Sequence, residues 1–203
     1  MKKCTIVCGF HPLINKECED TYVVGVDKGC QYLIENNIKI DAAIGDFDSV
    51  LEDEYLKIST YAKKIIKLNP IKDDTDLEHA LNYAKENGFD DITVYGCLGG
   101  RQDHNLLNIK LLYLSELNLT YIDNKNKMFC LKKGEHQIYK GEYKYMSLFT
   151  FEPCTFKMNG VFYPLDKTTI TINDNYTTSN EILDEKAFIK IYDGKLLVMQ
   201  CTD

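Results

Sequence analysis

The stretch "TDLEHALNYAKENGFDDITVYGC", residues 75–97, changes its period halfway along. Up to Gly88 the apolar residues Leu77, Ala80, Leu81 and Ala84 fall at i, i+3, i+4 and i+7, which is one face of an α-helix. Thr75, with Glu78 three residues later, reads as the helix start, and Gly88 as its stop. From Asp91 the run "DITVYGC" is short, rich in β-branched and aromatic residues and bounded by turn formers, hence a strand. A helix that feeds directly into such a strand is the repeating unit of a parallel sheet covered by helices.

The same alternation extends to both sides. "CTIVCGF", "YVVGVD", "DAAIGDF" and "KKIIKL" are earlier strand candidates and "LTYID" a later one, with helical patterns in "CQYLIENN" and "HNLLNIKLLYLSELN". Residues 1–124 therefore read as an α/β, Rossmann-like domain with a mostly parallel sheet flanked by helices. After Asp123 the pattern becomes "KMFCLKKG", "EHQIYKG", "YKYMSLFTF", "CTFKMNG", "TTITIND", "AFIKIYDG" and "KLLVMQ". These short runs, separated by Gly, Asn or Asp turns, read as an all-β sandwich or jelly roll over 125–203, ending in a hairpin at Asp193-Gly194.

With 203 residues, 44% of them hydrophobic and 27% charged, the composition is that of a soluble protein, with no apolar run long enough to span a bilayer. A formal net charge of −7 argues against binding a nucleic-acid duplex, whose affinity depends on concentrated Lys and Arg. The eight cysteines form no CxxC pair and no zinc-like spacing with the four histidines. They read as small buried thiols in a reducing cytoplasm.

Ligands of open α/β sheets bind beyond the carboxyl ends of the strands, and there the unusual polar residues collect. Asp27 closes "YVVGVD"; Asp46 and Asp48 close "DAAIGDF"; "NPIKDDTD" follows "KKIIKL"; "LGGRQDHN" follows "DITVYGC". If the strand continues through "GDFDS", Asp46 and Asp48 share a face and Phe47 points into the core. The alternative for "DFDS" is a strand end with Asp48 or Ser49 as helix N-cap. Asp76 suits the first turn of a helix, a reading that leaves Asp73 unexplained. Paired glycines and a helix beginning near His104 make an anion-binding corner, and Arg101 is the only arginine in the chain. Its planar fork matches phosphate oxygens, whereas a surface pair with Asp103 could equally use lysine. His104 reads as a general base or as a first-turn polar residue. Carboxylates, arginine and a glycine-lined corner suit Mg²⁺-assisted phosphoryl or pyrophosphoryl transfer.

In order and spacing, "GVDKG" (25–29), "IGDFDSV" (44–50), "KDDTDLEHAL" (72–81), "GGRQDHNLLNI" (99–109), "NGVFYPL" (159–165) and "TSNE" (178–181) resemble the thiamine pyrophosphokinase family. The resemblance implies transfer of the pyrophosphoryl group of ATP to the hydroxyl of thiamine, with thiamine diphosphate and AMP as products. It further implies a homodimer with the active site at the subunit interface. Carried over, Asp46, Asp48 and Asp76 hold Mg²⁺; Asp27, Gly29, Thr75, Arg101 and Asn105 bind the nucleotide; Ser179 and Asn180 meet thiamine. Asp73, Arg101 and Asp103 are implied at the transfer centre, with Asp73 and Asp103 both candidates for the proton acceptor. The family often has glycine where Lys28 stands, an apolar residue at Gln102, and in some members tryptophan at Phe162 or Tyr163. Two other classes compete. "DFDSV" resembles the start of haloacid-dehalogenase phosphatases, with Asp46 as nucleophile, though two strands precede it here. A non-catalytic nucleotide or thiamine-diphosphate binding module is the other.

Overall fold

The structure is a computed structural model that describes residues 1–10, 18, 20–71 and 73–203. It divides into two compact units, Met1–Asn124 and Lys125–Asp203.

In the first unit, strands β1 (Lys3–Val7), β2 (Tyr22–Val26), β3 (Ala42–Gly45), β4 (Ile65–Lys67), β5 (Asp91–Tyr95) and β6 (Asn118–Ile122) alternate with helices α1 (Gly29–Glu35), α2 (Glu52–Tyr61), α3 (Asp76–Glu86) and α4 (Gln102–Leu114). The strands pair in parallel in the order β4-β3-β2-β1-β5-β6. β1 to β4 therefore build one side, and β5 returns to the other side of β1. The crevice above β1 and β5 is the topological switch point, where such sheets bind ligands. The central strands are apolar on both faces, as in Ile6, Val7, Val23, Val24, Ile92 and Val94, because helices cover both sides.

α3 starts as its sequence indicates, with Thr75 Oγ1 accepting from the Glu78 N–H at 3.3 Å, and it buries Leu77, Ala80, Leu81 and Ala84. Gly88 follows its end with φ 73°. α2 is a helix that apolar periodicity does not reveal. Only Ile58 of "EDEYLKISTY" is buried, and the helix rests on local polar terms. Three acidic residues in its first turn suit the dipole, and Glu54 accepts from the Leu51 N–H at 2.9 Å.

Two expectations are corrected. β3 ends at Gly45, and Phe47 has φ 57°, so the strand does not run through "GDFDS". Phe47 is buried all the same, its ring 5.2 Å from that of Tyr55 on α2, but it gets there through a left-handed turn and not by strand alternation.

The second correction lies in the second unit, where β7 (Asn126–Leu131), β13 (Leu196–Cys201) and β9 (Tyr145–Phe149) pair antiparallel. β11 (Leu165–Ile170), β10 (Cys154–Asn159), β12 (Lys186–Asp193) and β8 (Gly134–Tyr139) form an antiparallel sheet in that order. β12 and β13 are consecutive yet belong to different sheets, so Asp193-Gly194 is a crossover and not a hairpin turn. The alternation explains why. Ala187, Ile189 and Ile191 of β12 face a core shared with Phe156, Met158, Leu148, Leu196 and Val198, which needs one strand on each side of it.

The eight cysteines are free, and Cys4, Cys18, Cys30, Cys97 and Cys154 are buried. No helix among the described residues is long and apolar enough to cross a membrane.

The crossover has a mutational signature. Gly194 has φ 81°, and an added Cβ would lie 2.5 Å from the Pro153 carbonyl oxygen, whereas a Cβ at Gly88, φ 73°, meets nothing within 4 Å. Gly88→Ala carries the left-handed penalty alone, about 1 kcal/mol, and Gly194→Ala adds a clash with backbone. Urea denaturation of the two variants should show the larger midpoint loss for Gly194→Ala; equal losses would contradict the close approach.

Candidate active site

The loops after β1, β2, β3 and β5 and the start of α3 converge at the switch point. They bound a cleft of about 500 Å³ lined by Cys8, Gly9, Phe10, Asp27, Lys28, Ser49, Thr75, Asp76, Gly96, Cys97, Gly99, Gly100, Arg101, His104 and Asn108, among others.

Asp27 is the residue after β2 and has φ 45°. Its N–H donates to the Ile44 carbonyl at 3.1 Å, and its Oδ1 accepts from the Phe47 N–H at 3.2 Å. Gly45 makes the approach possible, since a Cβ there would lie 1.9 Å from that same oxygen. Phe47 thus serves both sides of the turn: its ring is buried, and its own N–H donates to the neighbouring carboxylate.

Asp46 and Asp76 complete the corner. Each of Asp27, Asp46 and Asp76 offers a carboxylate oxygen, and the three atoms lie within 4.8 Å of one another, all on half-buried residues. Burial, above all, raises the pKa of Asp27 to about 7; the negative charges of Asp76 and Asp46 and a hydrogen bond with Asp76 add to it, against the Phe47 N–H. Carboxylates so placed repel unless a proton or a cation joins them. Three hard oxygen donors fit a small divalent cation of the Mg²⁺ type better than a soft metal. Asp48 is exposed on the same turn, and its N–H donates to Asp46 Oδ1 at 3.1 Å.

The second wall is the glycine loop after β5. Asn105 Oδ1 accepts from the Gly99 N–H at 2.7 Å, and the buried Asn108 donates Nδ2–H to the Cys97 carbonyl at 2.6 Å. Two amides one turn apart on α4 therefore pin the loop. Phe10 packs its ring where Cβ atoms on Gly99 and Gly100 would be, and its N–H donates to the Gly96 carbonyl at 3.1 Å. Arg101 lies at the mouth, exposed, forked onto Asp103 with Nε–Oδ1 3.2 Å and Nη2–Oδ2 2.6 Å. That guanidinium, with the His104 N–H, holds the Asp103 carboxyl down at about 2.

Of the residues singled out in the sequence, Asp27, Thr75, Asp76 and Arg101 line the cleft, and Asp46 joins its carboxylate corner. Asp48, Asp73 and Asp103 are exposed and do not line it; Asn105 holds the loop behind it. Gly29 packs α1 onto β1, because a Cβ there would be 2.0 Å from the Val7 carbonyl oxygen. Sequence reading did not single out Phe10 or Asn108. For Asn108 there was a signal: an amide inside the apolar run "NLLNIKLL", on the helix face of Asn105.

Ser179 and Asn180 belong to the second unit. The Ser179 N–H donates to Ser147 Oγ at 3.0 Å. Asn180 is buried, and its side chain accepts from the N–H of Tyr163 at 3.0 Å and of Glu181 at 2.9 Å and donates to the Tyr163 carbonyl at 2.9 Å. It thereby holds the turn that exposes Phe162 and Tyr163, whose rings stand edge to face at 4.9 Å.

Residues 14–122 match the family model of the thiamin pyrophosphokinase catalytic domain, and residues 135–196 match that of the thiamin pyrophosphokinase vitamin B1 binding domain. A thiamine pyrophosphokinase of Bacillus subtilis (strain 168) is 35% identical over 191 residues, covering 91% of this chain and 89% of the relative. The crystal structure of thiamine pyrophosphokinase from Bacillus subtilis superposes with a TM-score of 0.90 at 32% identity, over 100% of both chains. A thiamin pyrophosphokinase family protein from Enterococcus faecalis superposes with a TM-score of 0.91 at 27% identity, again over 100% of both. With both of its halves matched and a relative this similar along most of its length, the chain belongs to the thiamine pyrophosphokinase family.

Proposed function

We propose that this chain transfers the pyrophosphoryl group of ATP to the hydroxyl of thiamine, releasing AMP, with Mg²⁺ held at the carboxylate corner of the first unit. The observation that carries this reading is the meeting of Asp27, Asp46 and Asp76 in the cleft that the glycine loop and Arg101 also line.

In this reading Asp27, Asp46 and Asp76 hold the cation, and Asp48 is an outer carboxylate of the set whose N–H keeps Asp46 oriented. The cation, when bound, neutralises charge on the phosphates during transfer. Thr75 starts α3 and so fixes where Asp76 stands. Asn105 acts on the nucleotide through the loop it pins, and Gly29 by bringing α1 against β1. Arg101 exchanges Asp103 for the transferred phosphate, an exchange open to an exposed ion pair, which is worth little in water. Asp103 is then the holder of Arg101. Of the two candidates for proton acceptor, Asp73 is exposed and makes no ion pair among the described residues, whereas Asp103 must first give up Arg101, and Asp73 is the one we assign.

Thiamine is assigned to the second unit, at Ser179 and at the aromatic pair that Asn180 supports; exposed rings suit its cationic thiazolium. A homodimer with the active site at the subunit interface, and a cytoplasmic location compatible with eight free thiols, complete the proposal.

Incubation with thiamine, ATP and Mg²⁺ should yield AMP and thiamine diphosphate, and Asp46→Asn should lower kcat by about 10²-fold or more while leaving the circular dichroism spectrum unchanged. Absence of product from the wild type would remove the assignment of activity.

The carboxylate corner also predicts a pH dependence. Asp27 binds its proton more tightly folded than unfolded, so without divalent cations stability should fall as pH rises from its ordinary pKa of 3.8 towards about 7. Asp27→Asn should flatten that slope and raise Tm at pH 8. Mg²⁺ should raise the wild-type Tm at pH 8 and that of the variant much less. A wild-type Tm indifferent to Mg²⁺ would speak against the corner as the cation site.

A further inference from the structure

Three carboxylates at one corner repel the substrate that the cleft has to admit, because a nucleotide's polyphosphate is itself strongly anionic. A divalent cation offsets part of that repulsion. The rest falls to basic side chains, and among the described residues lining the cleft the lysine and arginine are Lys28 and Arg101. They are not equivalent. Arg101 already has its fork filled by Asp103. Lys28 is exposed and makes no ion pair or side-chain hydrogen bond among the described residues.

The base of Lys28 is fixed although its tip is not. It follows Asp27 directly and starts α1 with φ −60° and ψ −18°, its carbonyl accepting from the Gln31 N–H at 3.1 Å. The foot of its stem lies over Gly9 of the β1 loop, so closely that a Cβ on Gly9 would be 2.7 Å from the Lys28 Cβ. The ammonium is thus anchored at the start of α1, just beyond the end of β2, and its four-carbon stem can reach into the cleft. Such a point charge can follow a phosphate chain without a fixed geometry.

We propose that Lys28 is the phosphate-binding cation of this cleft: it pairs with the polyphosphate of the nucleotide and sets the affinity for it, while Arg101 engages only on leaving Asp103. This rests on the pyrophosphokinase reading, and a binding measurement that needs no turnover separates the two.

Isothermal titration of the full chain with inorganic tripolyphosphate and with ATP, with and without Mg²⁺, would compare wild type, Lys28→Met and Lys28→Arg. Methionine keeps a stem over Gly9 and removes the charge. Lys28→Met should weaken both ligands by about tenfold or more, and Lys28→Arg should restore most of the loss. In the steady state, KM for ATP should rise in Lys28→Met, with KM for thiamine unchanged and kcat changed less. Loss of tripolyphosphate binding in Lys28→Met would support the inference even if the wild type turned over no thiamine. Unchanged affinity in Lys28→Met, or the same loss in the arginine and methionine variants, would overturn it.

Discussion

Three carboxylates held within 4.8 Å of one another are a standing electrostatic debt, and the first unit is arranged around meeting it. Asp27 cannot reach the corner without Gly45, whose missing side chain leaves room for its Oδ1. It is steadied there by the N–H of Phe47, the same residue that takes φ 57° in the turn after β3. A non-glycine residue in that conformation is strained, and burial of the ring against Tyr55 offsets the strain. The apolar core is thus coupled to the polar corner through one residue.

The two walls of the cleft are built on different principles. The carboxylates stand at strand ends and on a capped helix, and backbone N–H groups donating to side-chain oxygens hold them. The basic groups are not held in this way: Lys28 has a long exposed stem and Arg101 lies in an exposed pair. A site that binds a small cation needs its oxygens fixed beforehand, whereas a polyphosphate that arrives and leaves is better met by charges that can follow it. Asn105 and Asn108 hold the glycine loop at Gly99 and Cys97, while the Arg101 side chain projects beyond it onto Asp103.

Most of the fold was legible because it rests on period. Most strands and the helices α1, α3 and α4 carry apolar spacing strong enough to be read directly, although β11 (Leu165–Ile170) starts before the run "TTITIND" and stops within it, and the change at Asp123 from helix-and-strand to strand-and-turn separates the halves. What failed were places where a local rule was overruled. α2 buries almost nothing and so leaves no apolar stripe. β12 and β13 look like a hairpin because a turn of the right composition joins them, but their inward faces belong to opposite sheets. "GDFDS" looks like continuing strand because glycine and phenylalanine conceal a left-handed turn.

The sequence by itself determined the residue types of the chemistry and the strand ends that carry them: aspartates, one arginine, paired glycines, and the family to which their order belongs. Only the tertiary structure decided which aspartates meet. Asp27 joins Asp46 and Asp76 while Asp48 turns outward, because the strand stops at Gly45 and the next residues follow a turn instead of a pleat. It also decided that Asn180 spends its side chain on the Tyr163 turn and that Lys28 stands in the cleft. The physical reason is the same in each case. Period and composition act over a few neighbouring residues, whereas the approach of one carboxylate to another is set by sheet order and by single backbone angles, which no local pattern records.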